Sequence, residues 1–205
     1  MKRDYPGLER ITYEGALQKA WDDILERDII ELAEHSVSKT SERIITVRFF
    51  DKECTVDLRR RIIEQDQKPL EPFLSILILH YLRGCSELHP TGEIITFREI
   101  PGGDLYYAAF KSRAIDPLVR KFGNEPEMLL TAAERIGAKR IKMGSTGVRV
   151  DVFAKLPVTV VVWKGDEEIP SSANILFDRI AASILPTEDL AVIGSLVASK
   201  LTKAV

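Results

Sequence analysis

The chain is poor in the residues that build most recognisable centres. Cysteine appears twice, as Cys54 and Cys85, and histidine three times in 205 residues. Two cysteines do not make a disulfide framework, and a chain of this length can build its own core, so a reducing compartment is expected. An excess of one charge sign is also missing. Lys and Arg number 29 against 31 Asp and Glu, a formal net charge of -2. That balance removes the basic field on which nonspecific nucleic-acid binding depends, so no nucleic-acid partner is expected. Long apolar runs are absent as well. The aliphatic run at residues 76–79 stands between Ser75 and His80, far short of a bilayer span. Behind Met1, Lys2, Arg3, Asp4, Tyr5 and Pro6 come Glu9, Glu14, Asp22 and Asp23, charges that the apolar centre of a signal peptide does not tolerate. The expectation is a soluble, cytoplasmic protein with no membrane partner.

What is present is the composition of a folded domain, with 45% hydrophobic residues. Ala16, Leu17, Ala20, Trp21, Ile24, Leu25 and Ile29 recur at helical spacing and predict an amphipathic helix over residues 13–35. Residues 44–50 and 54–58 are β-branched or alternating, with a short polar link, and predict a hairpin. Residues 70–82 differ: Phe73, Leu74, Ile76, Leu77, Ile78, Leu79, Tyr81 and Leu82 point in every helical direction. A helix apolar all round lies inside a fold. A short strand is expected at 94–97. Beyond it, Gly102 and Gly103 open a helix capped by Asp104. Another helix follows Asn124 and Glu127, which have capping-box spacing, and Gly137 is placed to stop it. Three β runs come next, at 140–143, 148–154 and 158–163. Two closing helices are expected, capped by Ser172 and Thr187. The simplest account is one α+β domain, residues 1–205, with one antiparallel sheet packed with helices around the central helix.

Several segments taken together resemble a known family. They are Leu77-Ile78-Leu79-His80-Tyr81-Leu82, Thr91-Gly92-Glu93, Phe97-Arg98-Glu99-Ile100-Pro101-Gly102-Gly103, Tyr106-Tyr107-Ala108-Ala109-Phe110 and Pro117-Leu118, then residues 163–170, 172–178 and 185–189. In this order they resemble domain of unknown function 3786, from about Ala16 onward. Proteins of that family belong to anaerobic bacteria and archaea, and some resemble fusions to a cysteine-rich iron–sulfur segment like that of corrinoid proteins. The resemblance implies a link to one-carbon or tetrapyrrole-cofactor metabolism and a protein partner there. It names no reaction. This chain lacks the cysteine cluster, so no iron–sulfur cluster is expected in it.

Candidate chemistry is sparse. His80, Cys85 and His89 fall within ten residues and are metal-capable. His80 and Cys85 stand about 140° apart on a helix, so they share no face. His80 alone could serve as axial ligand to a tetrapyrrole metal, or be a core histidine with a satisfied ring. Gly102 and Gly103 could admit a ligand to the backbone, with Tyr106, Tyr107 and Phe110 as a wall, or simply make a tight turn. The first reading is therefore a non-enzymatic cofactor-binding or accessory protein. It would hold a corrinoid or haem-like tetrapyrrole near the turn 101–103, with His80 as metal ligand. The alternative is a small-molecule enzyme using Asp104, Glu99, Tyr107 and Asp178 as acid–base groups. A protein-contact subunit is the third. The Arg59-Arg60-Arg61 run and the acidic turn 165–168 are read as solvated.

Overall fold

The β-branched run at residues 44–50 becomes the middle of an antiparallel meander. The computed structural model describes residues 6–205; the reading of Met1 to Tyr5 lies outside them. Strands β1 (Lys39–Ser41), β2 (Ile44–Phe49), β3 (Lys52–Asp57), β4 (Ile62–Gln65) and β5 (Lys68–Pro69) follow one another across the sheet in chain order. Ile45 lies opposite Val56, Val47 opposite Cys54 and Val56 opposite Ile63, which gathers the buried side chains on one face and leaves charged residues on the other. The helices of this unit are α1 (Pro6–Leu25), α2 (Ile29–His35) and α3 (Pro72–Gly84). The unit ends at Glu87, and a second compact unit spans Leu88–Val205.

Helix α3 packs against α1 and α2. Ser75, Ile76, Leu77, Ile78 and Leu79 are five consecutive buried residues. At about 100° per residue they sweep a full turn, so this stretch is enclosed on every side, as its all-round apolarity requires. Phe73 and Arg83 at its ends reach water. Leu77→Ala is expected to cost roughly 2–5 kcal/mol in urea denaturation, because the enclosed turn has no neighbour free to refill the hole.

The second unit contains β6 (Ile94–Thr96), α4 (Gly103–Phe110), α5 (Asp116–Phe122), α6 (Met128–Arg135), β7 (Lys139–Ile141), β8 (Thr146–Phe153), β9 (Leu156–Trp163), β10 (Ser172–Asp178), α7 (Ala181–Ile184) and α8 (Thr187–Lys203). A π-helical turn, Lys111–Ile115, joins α4 to α5. Its sheet is antiparallel in the order β6-β10-β9-β8-β7. Val148, Val150, Val158, Val160, Val162, Ile175, Phe177 and Ile95 share one face by register, and α5, α6 and α8 lie against those strands.

The α+β class is as the sequence indicates, but the strands expected in one sheet divide between two. Five local readings are corrected. Residues 13–35 are two helices, because Asp28 caps α2 by accepting from the N–H groups of Ile30 (2.8 Å) and Glu31 (3.0 Å). Ser172 begins a strand and caps no helix. Asp104 lies in the first turn of α4, whose cap residue is Gly102. Pro186 and not Thr187 holds the cap position of α8, and the Thr187 hydroxyl donates to the Pro101 carbonyl at 2.7 Å. Asn124 and Glu127 form no capping box; α6 starts without a side-chain cap bond.

Two helices end in the same motif with different residues. Gly137 follows α6 with φ +70°; Ala138 N–H donates to Ala133 O (2.8 Å) and Gly137 N–H to Glu134 O (3.2 Å). After α2 the equivalent bonds run from Ser38 to Ala33 (2.8 Å) and from Val37 to Glu34 (3.1 Å). The left-handed position there is Val37, at φ +56°, where a β-branched residue is strained. Val37 is 60% exposed, so few contacts are lost with its side chain. Val37→Gly is therefore expected to raise stability by roughly 1 kcal/mol, and Gly137→Val to lower it by at least as much, both read from denaturant midpoints.

Candidate functional site

The residues expected to surround a flat cofactor are mostly committed to the protein itself. His80 is half-buried on α3 in the first unit, and the turn and aromatics belong to the second. Among the described residues no group of three or more His, Cys, Asp or Glu is placed to hold a metal ion, so His80, Cys85 and His89 do not assemble one. Gly102 takes φ +77° and Gly103 is buried. A Cβ at Gly103 would stand 1.9 Å from the Phe97 carbonyl oxygen. The close approach that glycine allows is thus used by the chain's own 3₁₀ turn, Phe97–Glu99. Phe110 stacks on Phe97 with ring centroids 3.9 Å apart, and a Cβ at Gly194 of α8 would fall 2.3 Å from the Phe110 ring. Phe110 is 1% exposed and offers no face to a ligand. Tyr106 is exposed and its hydroxyl donates to the Glu188 carboxylate, which pushes the phenol pKa up. Tyr107 is half-buried under the Arg98 guanidinium, 5.0 Å from its ring centroid. The glycine turn and Phe110 therefore do not fit a tetrapyrrole wall.

The carboxylates considered as acid–base groups each hold structure. Asp104 is exposed and paired with Arg98 at 2.7 Å. Glu99 accepts from the Thr96 N–H and hydroxyl, both at 2.8 Å, and those bonds hold its pKa below the usual range. Asp178 is only 2% exposed. It accepts from Thr91 N–H (3.1 Å), Thr91 Oγ1 (3.2 Å), Gly92 N–H (2.7 Å) and Ile180 N–H (3.1 Å). Burial pushes its carboxyl up, but these donors outweigh burial and hold it low. Elsewhere, Arg59, Arg60 and Arg61 are neutralised by Glu42 (3.5 Å), Glu64 (3.8 Å) and Asp22 (3.2 Å). Asp166 in the acidic turn accepts from Glu168 and Ile169 N–H. Burial pushes the Cys54 thiol up to about 11, against a hydrogen bond from Gln65, so it is a poor nucleophile at neutral pH.

The feature that local sequence patterns did not show is a cleft on the second sheet, on the face away from the helices. Its volume is about 530 Å³. Every strand contributes: Ile94 from β6, Asp178 from β10, Pro157 and Thr159 from β9, Arg149 from β8 and Ile141 from β7, with the segment Pro90–Gly92 along one side. Pro157 and Thr159 are buried and form the floor. Arg149 stands on the wall, steadied by Asp151 at 2.9 Å. Asp178 fixes the opposite wall through Thr91 and Gly92. The one trace in the sequence is Arg149 alternating with Val148 and Val150, which marks a polar face. Only the pairing of β6 with β10 brings 90–94 to that face.

Fold and cleft define a two-sheet α+β protein with a ligand-sized hollow on a sheet face. The chain belongs to the DUF3786 family, a domain of unknown function, whose profile matches residues 28–200. Searches of curated proteins and of solved structures found no match. No helix among the described residues is long and apolar enough to cross a membrane.

Proposed function

We propose that the chain is a non-enzymatic binding or accessory protein, and that it holds a small molecule in the cleft on the second sheet. The observation that supports this reading is the built character of the cleft. A buried carboxylate with four donors sets one wall, and the side chains come from all five strands, so the hollow exists before a ligand arrives. No pair of groups there has the arrangement of a nucleophile with its base, because Asp178 is saturated by donors and Arg149 is engaged by Asp151.

The test is native mass spectrometry of the protein purified from its natural source, followed by thermal-shift titration with any molecule released. Haem and cobalamin, the tetrapyrroles suggested by the family resemblance, are added separately and followed by absorbance in wild type and His80→Ala. Thr159→Trp fills the cleft floor and is expected to abolish the ligand's effect on Tm. A ligand that stabilises wild type and Thr159→Trp equally would place binding elsewhere and overturn the proposal.

A further inference from the structure

The loop between β7 and β8 has a chemistry that the sheet-face cleft does not. Arg140, Ile141, Lys142, Met143, Gly144, Ser145 and Thr146 line a separate hollow of about 380 Å³. The loop is fixed from below. Ser145 N–H donates to Val162 O at 3.0 Å, and a Cβ at Gly144 would meet Val161 Cγ1 at 2.4 Å, so the backbone is pressed onto β9. Ser145 Oγ accepts from the Lys164 backbone N–H at 2.9 Å, which ties the start of the next loop to this one.

The cations here are unspent. Neighbouring Lys139 and Arg149 both pair with Asp151, at 3.3 and 2.9 Å. Arg140, Lys142 and Lys164 make no ion pair among the described residues. One carboxylate meets the loop: Glu127 accepts from Thr146 Oγ1 at 3.3 Å. Arg140 and Lys142 in the lining against Glu127 leave the hollow net positive, on a backbone that is already ordered. A planar guanidinium beside an ammonium and a fixed polar backbone is the combination that recognises oxyanions.

We propose that the β7–β8 loop is an anion site for a soluble phosphate-bearing small molecule, with Arg140 and Lys142 as its principal contacts. The site stands independently of the sheet-face cleft, because none of these cations lines that cleft. The test is an amide NMR titration of the full chain with inorganic phosphate, against sodium chloride at matched ionic strength. Saturable shifts confined to residues 140–146 and 164 are expected. The double variant Arg140→Ala, Lys142→Ala is expected to bind at least about tenfold more weakly with an unchanged Tm, and Arg140→Lys to fall between. Shifts that sodium chloride reproduces, or that survive in the double variant, overturn the proposal. Binding to anionic-lipid vesicles without any response to phosphate overturns it too.

Discussion

Phe110→Ala is expected to destabilise the second unit by about 3–5 kcal/mol, the range of a large aromatic removed from a closed core. The Phe97 and Phe110 rings lie nearly parallel, 8° apart, and Phe177 approaches both with centroids at 6.3 and 6.4 Å. Phe97 and Phe110 are each 1% exposed. The backbone of α8 comes so near at Gly194 that the ring fills the space a side chain would need. Removing it leaves a cavity that the Phe97 ring, held at the start of its 3₁₀ turn, cannot fill alone. Urea denaturation measures the loss, and Phe110→Leu should recover a good part of it. A ring that lined a ligand site would behave differently. Its removal would leave the denaturation midpoint near wild type and change ligand affinity only.

The same residues show what the sequence could convey. The enclosure of α3 was legible because an uninterrupted apolar helix has no other place to go. The strands at 44–50, 148–154 and 158–163 were legible because β-branched runs and alternation are local properties. Their division between two sheets was not, since pairing is nonlocal: Phe177 lies opposite Ile95, more than eighty residues earlier in the chain. Ser172 read as a cap because its local chemistry fits one. Yet Ala173, Ile175 and Phe177 fall at every second position, with Leu176 the one apolar residue between them, and that spacing was the better signal. The site residues were harder to read for a related reason. Gly102, Gly103 and Phe110 are the same residue types whether they admit a ligand or the chain's own backbone and rings. Only the Phe97 carbonyl above Gly103 and the ring stacked on Phe110 decide which. Val37 and Gln67 take left-handed conformations that their residue types give little reason to expect, which hid the end of α2 and the β4–β5 turn.

Asp178→Asn should lower stability by about 3 kcal/mol at neutral pH, with a deficit that shrinks in acid. The carboxylate serves three backbone N–H groups and one hydroxyl, all donors. An asparagine has one accepting oxygen and turns an NH₂ toward the others, so at least one N–H, such as that of Gly92 on Oδ2, loses its acceptor. The pH dependence follows from the direction of the pKa. The folded-state value lies below that of an unfolded aspartate, about 3.9, because the donors outweigh burial. The ionised form therefore contributes its full stabilisation above the unfolded pKa, and loses it as pH falls through the folded one. Other carboxylates held low, such as Glu93 on Arg179 and Glu99 on Thr96, weaken both proteins alike in acid. The difference between wild type and variant isolates Asp178, and it should narrow below about pH 4. Denaturation midpoints over a pH series measure it. A deficit independent of pH would mean that the substitution acts through packing rather than through the charge. The Thr91–Gly92 wall depends on this anion, so the variant should also lose any ligand of the sheet-face cleft at neutral pH. Phosphate binding at the β7–β8 loop should stay intact, because Ser145 and Gly144 are anchored to β9 and not to the segment that Asp178 holds.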